Sequence, residues 1–327
     1  MPTFRLAVLV PCFNEAHTVR KVVEDFRRAL PEAVVHVFDN ASDDGTADLA
    51  RSAGARVARV PLRGKGHVVR RLFADVEADV YLLVDGDDTY SADCAPRLVR
   101  AVLDGHDMVV GVREATATGA YRAGHAWGNR ALTGFLAWLF GRSSRDILSG
   151  YRAFSRRFVK SFPVQSSGFE IETELTVHAL QMHMPVAELA TPYGERPQGS
   201  QSKLSTWKDG FRILGKIATL FARERPVAFY GNMGGGLLAV ALLLSIPLLV
   251  TYAQSGLVPR FPTAILVAAL LVMSALALLA GVILDSVARG RREVRFLAYL
   301  AAAPGPGELS SGGVAAERRR GLPPGSR

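Results

Sequence analysis

Val80-Tyr81-Leu82-Leu83-Val84, running without a break into Asp85-Gly86-Asp87-Asp88, is the stretch that decides how the front of this chain is read. Five apolar residues without helical spacing suit a strand buried on both faces. In a parallel sheet, ligands collect beyond the carboxyl ends of the strands, so the residues following this one stand where chemistry is done. Three carboxylates crowded there repel one another unless a cation sits among them, and hard oxygen donors suit Mg²⁺ or Mn²⁺. Alone, the same four residues would read as a solvated turn. The apolar strand before them favours a metal.

Working outward, Phe4–Val10, Ala33–Phe38, Arg56–Val60 and Asp107–Val112 are further strand-like runs separated by polar, helix-compatible segments. That rhythm predicts an α/β domain, Rossmann-like, with a mostly parallel sheet and crossover helices. The residues after each strand are polar. Pro11-Cys12-Phe13-Asn14-Glu15 follows the first. Asp39 to Thr46, with Asn40, Ser42 and Asp44, follows the second and offers carboxylates and short polar groups to a base and ribose, or else is an acidic loop with a helix cap. Arg63-Gly64-Lys65-Gly66 follows the third and offers amides and a cation at a helix start, suited to a diphosphate. It is not a Walker P-loop, because the glycine spacing differs and no Ser or Thr follows the lysine.

This ordered set resembles the GT-A family 2 glycosyltransferases. Asp146-Ile147-Leu148-Ser149-Gly150-Tyr151-Arg152, Gly168-Phe169-Glu170-Ile171-Glu172, and Arg196 with Gly199, Ser200, Ser202 and Lys203 resemble the dolichyl-phosphate mannose synthase and polyprenyl-phosphate glycosyltransferase branch. The resemblance spans roughly residues 5–225. It implies a nucleotide-sugar donor held by Pro11, Asn14, Glu15, Asp39, Asn40, Ser42, Asp44, Lys65, Asp85 and Gly86, with Asp39 and Asp44 on the nucleoside. It implies a divalent metal, Mg²⁺ or Mn²⁺, on Asp85 and Asp87. Arg113 and Arg122 would address a polyprenyl phosphate acceptor; Arg152, Arg196 and Lys203 would hold either phosphate group, with Ser200 beside the acceptor. Asp87, Arg113, Arg122, Arg152 and Glu172 form the implied catalytic set. Thr89 and Glu172 stand where relatives commonly carry glutamine, which bears on donor identity. Glu170, Glu172 and Glu174 are candidates for sugar hydroxyls, at least one of them facing solvent on a helix beginning near Phe169. His67 and His125 read as structural.

The back of the chain is of another kind. No charged residue lies between Arg225 and Arg260, nor between Arg260 and Asp285. A bilayer core takes roughly 20 apolar residues per helix, and about Phe229–Ala253 and Pro262–Leu284 each suffice, joined by a short loop. Gly231 and Gly235 have the spacing of a small-residue packing face. The formal charge of +9 comes from the flanks: residues 1–202 carry 24 of each sign, whereas 203–225 carry six basic and two acidic, and the part from Ser286 eight and three. Positive charge bracketing apolar runs fits anionic lipid rather than nucleic acid, and places both termini on the cytoplasmic side. Leu204 to Glu224 reads as a basic amphipathic helix on the membrane surface. With two cysteines, Cys12 and Cys94, neither a disulfide framework nor a thiolate metal site is expected. The short apolar run before Pro11 lacks the form of a signal peptide.

The expected organisation is a catalytic domain over 1–202, a juxtamembrane helix over 203–227, two transmembrane helices over 228–285, and a basic cytoplasmic tail, partly disordered, over 286–327. The expected function is inverting transfer of a hexose to polyprenyl phosphate at the cytoplasmic membrane face. The alternative is transfer to a hydroxyl of a lipid-linked sugar or polysaccharide, which needs a carboxylate base and makes Glu172 essential. Expected partners are the donor, the lipid acceptor and the bilayer, not nucleic acid; a homo-oligomer is compatible with the reading.

Overall fold

The computed structural model describes residues 4–115, 134, 138, 145–168, 170–194, 219 and 221–303. By its contacts the chain divides into Met1–Gly210 with Arg295–Arg327, and Phe211–Val294.

The first unit is built on one seven-stranded sheet in the order β3-β2-β1-β4-β6-β5-β7. Its strands are β1 (Leu6–Cys12), β2 (Val34–Asp39), β3 (Arg56–Arg59), β4 (Val80–Leu83), β5 (Met108–Ala115), β6 (Arg152–Ser155) and β7 (Val186–Tyr193). Its helices are α1 (Val19–Ala29), α2 (Thr46–Ser52), α3 (Lys65–Asp75), α4 (Ala95–Leu103), α5 (Arg156–Ser161) and α6 (Ile171–Gln181). β1 pairs in parallel with both β2 and β4, so the strand order reverses between β1 and β4. That switch point opens a crevice at the carboxyl edge. β6 is antiparallel to β4 and to β5, which returns β5 to the direction of β4 and brings Arg113 to the same edge as Asp85.

Period-two alternation explains the layers. Leu6, Val8 and Val10 of β1 join Val22, Val23 and Phe26 of α1 and Leu98 of α4 in one core. Ala7 and Leu9 point the other way, toward Leu72 and Phe73 of α3, Phe158 of α5 and Leu175 of α6. In α1, Val19, Val22, Val23 and Phe26 are buried at helical spacing, so one apolar stripe covers the sheet.

Two strands escape the sequence pattern. β6 is four residues long, begins with a charge, and carries a wholly buried pattern that its composition does not announce. β7 is mostly half-buried and contains Pro192, which the sheet tolerates because β7 is an edge strand.

The second unit contains α7 (Pro226–Ser255); α8 (Phe261–Ala301) begins in it and ends in the first. Both helices are long and apolar enough to cross a membrane. They form an antiparallel pair. Ser274 Oγ donates to the Gly234 carbonyl at 2.8 Å, and a methyl group on Gly234 would lie 3.1 Å from the Ser274 carbonyl. A methyl group on Gly281 would lie 3.2 Å from Tyr230 Cβ. The expected packing glycines are therefore displaced: Gly231 and Gly235 face open space, while Gly234 and Gly281 make the close approach. Spacing alone does not say which glycine a partner helix meets. The first part of the basic segment expected from residue 286 is helical, since α8 runs to Ala301.

Candidate functional site

The site grows from β4. Asp85 is partly exposed, Asp87 is 4% exposed and accepts from Thr89 Oγ1 at 2.7 Å, and Asp88 adopts a left-handed φ of 59°. Aspartate tolerates that conformation, and it turns Asp88 to Lys21 Nζ at 2.7 Å. The three crowded carboxylates thereby have separate partners: Asp88 pairs with Lys21, Asp87 with Thr89 and Asp85 with Lys65. Glycines make the room. A Cβ on Gly86 would sit 2.6 Å from Cys12 Sγ, and one on Gly150 would sit 2.3 Å from Asp85 Oδ2. Cys12 and Cys94 are both buried and unoxidised.

Lys65, at the start of α3, reaches across the crevice. Its Nζ lies 2.5 Å from Asp85 Oδ1 and 2.5 Å from Glu172 Oε1, with side-chain exposures of 10% for Lys65 and 6% for Glu172. Burial alone would lower this ammonium, but Asp85 and Glu172 outweigh it and hold its pKa well above the ordinary lysine value. It is a charged group at neutral pH.

The loops after β1 and β2 are stitched together. Asn14 N donates to Ser42 Oγ at 2.9 Å, Asp43 N to Asn14 Oδ1 at 3.1 Å, Glu15 N to Thr46 Oγ1 at 2.9 Å and Ala16 N to Asp44 Oδ2 at 3.0 Å. Pro11 lies beside Phe38 in the β1–β2 register, which Cys12 closes opposite Asp39. Asp39 differs from its neighbours: Oδ2 accepts from Ser42 N, whereas the buried Oδ1 has no hydrogen-bond partner. A buried acceptor left unpaired is costly without a ligand donor.

Four expectations are corrected. Asn40 is 5% exposed; its amide donates to the Val60 and Leu62 carbonyls while its oxygen accepts from Gly64 N, so it braces the loops instead of facing a donor. The amides at the start of α3 are likewise engaged, Gly64 N by Asn40 and Gly66 N by the Ser167 carbonyl, because the 166–168 loop lies directly on this turn. Gly64 has φ +127°, and a Cβ there would lie 2.1 Å from the Ser167 carbonyl. What this turn presents to the crevice is the Lys65 side chain, not an amide cradle.

Arg152 is the third correction. It is 0% exposed, donates from Nε to the Ser149 carbonyl at 2.9 Å, from Nη1 to Thr176 Oγ1 at 2.8 Å and from Nη2 to the Ile147 carbonyl at 2.5 Å, and holds no position open to a phosphate. Burial pulls it down to about 10, so it remains a cation and a strut for the 146–150 turn. Glu174 is the fourth: it accepts from Gln165 N and Ser166 N at 3.0 and 2.8 Å, fixing the loop that covers α3. Glu170 keeps one buried oxygen without a partner.

Arg113 lies at the carboxyl end of β5, bidentate to Asp146 at 2.7 Å through both Nε and Nη2, with its guanidinium 5.4 Å from the Tyr193 ring centre. Burial would raise the Asp146 carboxyl, yet Arg113 holds it below the usual carboxylate range. Tyr90, packed edge-on and tilted between Tyr193 and Tyr151, accepts from Gly150 N at 3.0 Å and so fixes the glycine that touches Asp85. Tyr90, Gly150 and the 166–168 loop support the site through cross-fold contact; Gly150 and Gly168 stand in the motifs quoted from the sequence, whereas Tyr90, Ser166 and Ser167 carry no local signal. Arg122, Arg196, Ser200, Lys203, His125 and Phe169 lie outside the described residues, as does most of the amphipathic stretch before Glu224.

Among the described residues no group of three or more His, Cys, Asp or Glu side chains could hold a metal ion unaided. Two carboxylates with an incoming diphosphate are nevertheless the donor set that Mg²⁺ uses, so Asp85 and Asp87 fit a metal completed by its substrate.

The mostly parallel sheet, with a crevice at its switch point, an acidic strand end and a buried lysine beside it, defines a Rossmann-like GT-A domain. The chain belongs to glycosyl transferase family 2, whose family description it matches over residues 7–162. It is 36% identical over 249 residues to Glycosyltransferase AglJ of Haloferax volcanii, covering 75% of this chain and 82% of that one. It is 28% identical to the same organism's dolichyl-phosphate hexose transferase, over 67% of this chain and 95% of that protein. Among solved structures, glucosyl-3-phosphoglycerate synthase from Mycobacterium tuberculosis, in complex with Mn²⁺ and UDP-glucose, shares the GT-A fold with a TM-score of 0.53 and 23% identity, over 67% of this chain and 78% of that one.

Proposed function

We propose that the chain transfers a hexose from a nucleoside diphosphate sugar to a polyprenyl phosphate at the cytoplasmic face of a membrane, with inversion at the sugar carbon. The observation that carries the reading is the Asp85/Asp87 pair at the end of β4, with Lys65 against it and the unpaired Asp39 Oδ1 two strands away at the end of β2. Asp39 would accept the imino N–H that uracil and guanine both carry. Relatives that are named for dolichyl-phosphate and polyprenol transfer support the lipid acceptor.

In this reaction the bond from the sugar carbon to the diphosphate oxygen breaks, and that oxygen keeps the electron pair. The acceptor phosphate oxygen forms the new bond. A phosphomonoester has a second pKa near 6, so at neutral pH the nucleophile is already largely anionic and no general base is required. Charge management is what remains. Arg113, held square by Asp146, would position the acceptor phosphate beside the anionic donor. A divalent ion on Asp85 and Asp87 would neutralise the departing diphosphate. The rival reading, attack by a hydroxyl with Glu172 as base, is weakened because Glu172 is committed to Lys65.

The assay is transfer of radiolabel from a panel of UDP- and GDP-hexoses, with Mg²⁺ or Mn²⁺, to polyprenyl phosphate in detergent, followed by organic extraction. A labelled, mild-acid-labile lipid is expected, and Asp87→Asn should abolish it while the variant unfolds at the wild-type temperature. Full transfer by a well-folded Asp87→Asn enzyme would remove the metal from the reading. Donor hydrolysis without lipid labelling would remove the acceptor.

A further inference from the structure

Lys65 and Glu172 form the least exposed ion pair of the crevice, and the reaction as derived above does not explain why one ammonium is shared by two carboxylates, one of them a metal ligand candidate. Asp85 Oδ1 and Glu172 Oε1 each lie 2.5 Å from Lys65 Nζ. Asp85 cannot swing away from the lysine freely, because its Oδ2 is backed by Gly150 at a distance that excludes even a Cβ. Glu172 cannot follow the lysine outward either, as it is 5% exposed and sits in the first turn of α6. The lysine itself leaves the first turn of α3, which the Ser166 and Ser167 carbonyls clamp at Gly64 and Gly66. Of these two carboxylates, Glu172 is the fixed anchor of the ammonium and Asp85 the exchangeable one.

We propose that Lys65 is the resident counter-cation of Asp85, and that Glu172 is a positioning residue which keeps this ammonium in the crevice when metal and diphosphate arrive together. The inference rests on reading this strand end as a metal–diphosphate site. A divalent ion entering alone meets a cation already placed on its ligand and must displace it from Asp85. A diphosphate entering with the ion supplies a new acceptor: Lys65 exchanges Asp85 for a phosphate oxygen while Glu172 holds its other side. Metal and nucleoside diphosphate then bind synergistically, and by linkage each strengthens the other equally.

The test is Mn²⁺ titration of the full chain in detergent, followed by loss of the free-ion EPR signal, without and with UDP or GDP. In the wild type the diphosphate should tighten Mn²⁺ binding by a factor within the ~5–150-fold range of site-to-site coupling. Lys65→Met should bind Mn²⁺ alone on the order of tenfold more tightly than the wild type and lose most of the tightening by diphosphate. Glu172→Gln should bind Mn²⁺ alone no better than the wild type, yet hold the diphosphate about tenfold more weakly when Mn²⁺ is present. A purely structural lysine would not give these opposite signs. Should Lys65→Met fail to fold because it strands a buried carboxylate, the Lys65→Met/Glu172→Gln pair removes both charges and carries the same expectation for Mn²⁺ alone. Tighter Mn²⁺ binding by neither lysine variant overturns the proposal, as does additive binding in the wild type; both leave the donor reading standing. A wild type that takes up neither Mn²⁺ nor diphosphate would overturn the donor reading as well.

Discussion

Two arginines of the same motif neighbourhood have opposite fates. Arg152 gives its N–H groups to the Ser149 and Ile147 carbonyls and Thr176 at 0% exposure, so Arg152→Met should strand those acceptors and cost on the order of 3 kcal/mol in urea-unfolding stability. An Arg152→Met enzyme of native stability and reduced acceptor affinity would return the residue to the phosphate site. Arg113 stands at the rim and pairs with Asp146, whose carboxyl is held below its ordinary value. A depressed carboxyl contributes stability that is present above its unfolded pKa of about 3.9 and is lost as pH falls through the lower folded value. In Arg113→Met the carboxyl loses that partner and burial pushes it upward, reversing the sign. The stability deficit of Arg113→Met relative to wild type, roughly 1–3 kcal/mol at pH 7, should therefore shrink between pH 7 and pH 4 in urea titrations. A deficit that stays constant with pH would show that the pair is not what holds Asp146.

At the scale of elements, small residues decide where the two apolar helices touch. Ser274 and Gly281 of α8 meet Gly234 and Tyr230 of α7, whereas Gly231 and Gly235 have nothing within 4 Å. Gly234→Leu should separate the helices and lower the melting temperature in detergent, because its side chain has no volume to enter. Gly231→Leu and Gly235→Leu should melt as the wild type does; the reverse ranking would place the contact on the other glycines. The same logic governs the turn of Gly64 and Gly66, where close carbonyls from the 166–168 loop leave no room for a Cβ. That loop is itself fixed by Glu174, so α6 and α3 are joined through a segment with no regular structure.

For the whole molecule, the 41 residues of α8 span about 60 Å, twice the hydrocarbon thickness of a bilayer. Its last turns belong with the catalytic unit. Tyr299 OH donates to Asp107 Oδ2 at 3.0 Å, Arg157 lies 5.3 Å from the Tyr299 ring centre, and Arg295 bonds Gln181. Tyr299→Phe should cost about 1 kcal/mol in the full chain, read as a melting temperature lowered by about 2–4 °C; an unchanged value would mean that the segment does not bind the domain in solution. The sequence by itself determined the α/β domain, the polar strand ends and the two apolar helices, because period-two burial, the run of carboxylates after Leu83 and uninterrupted apolar length are local properties of the chain. It also determined that Asp85 and Lys65 belong to one crevice, since both follow strands of a parallel sheet. Only the tertiary structure decided that Arg152 is a strut, that Asn40 and the α3 amides are already engaged, and that Glu172 meets Lys65 across 107 residues. Which of several polar groups is spent on the fold and which is left for a ligand depends on partners far away in sequence, and no local pattern records them.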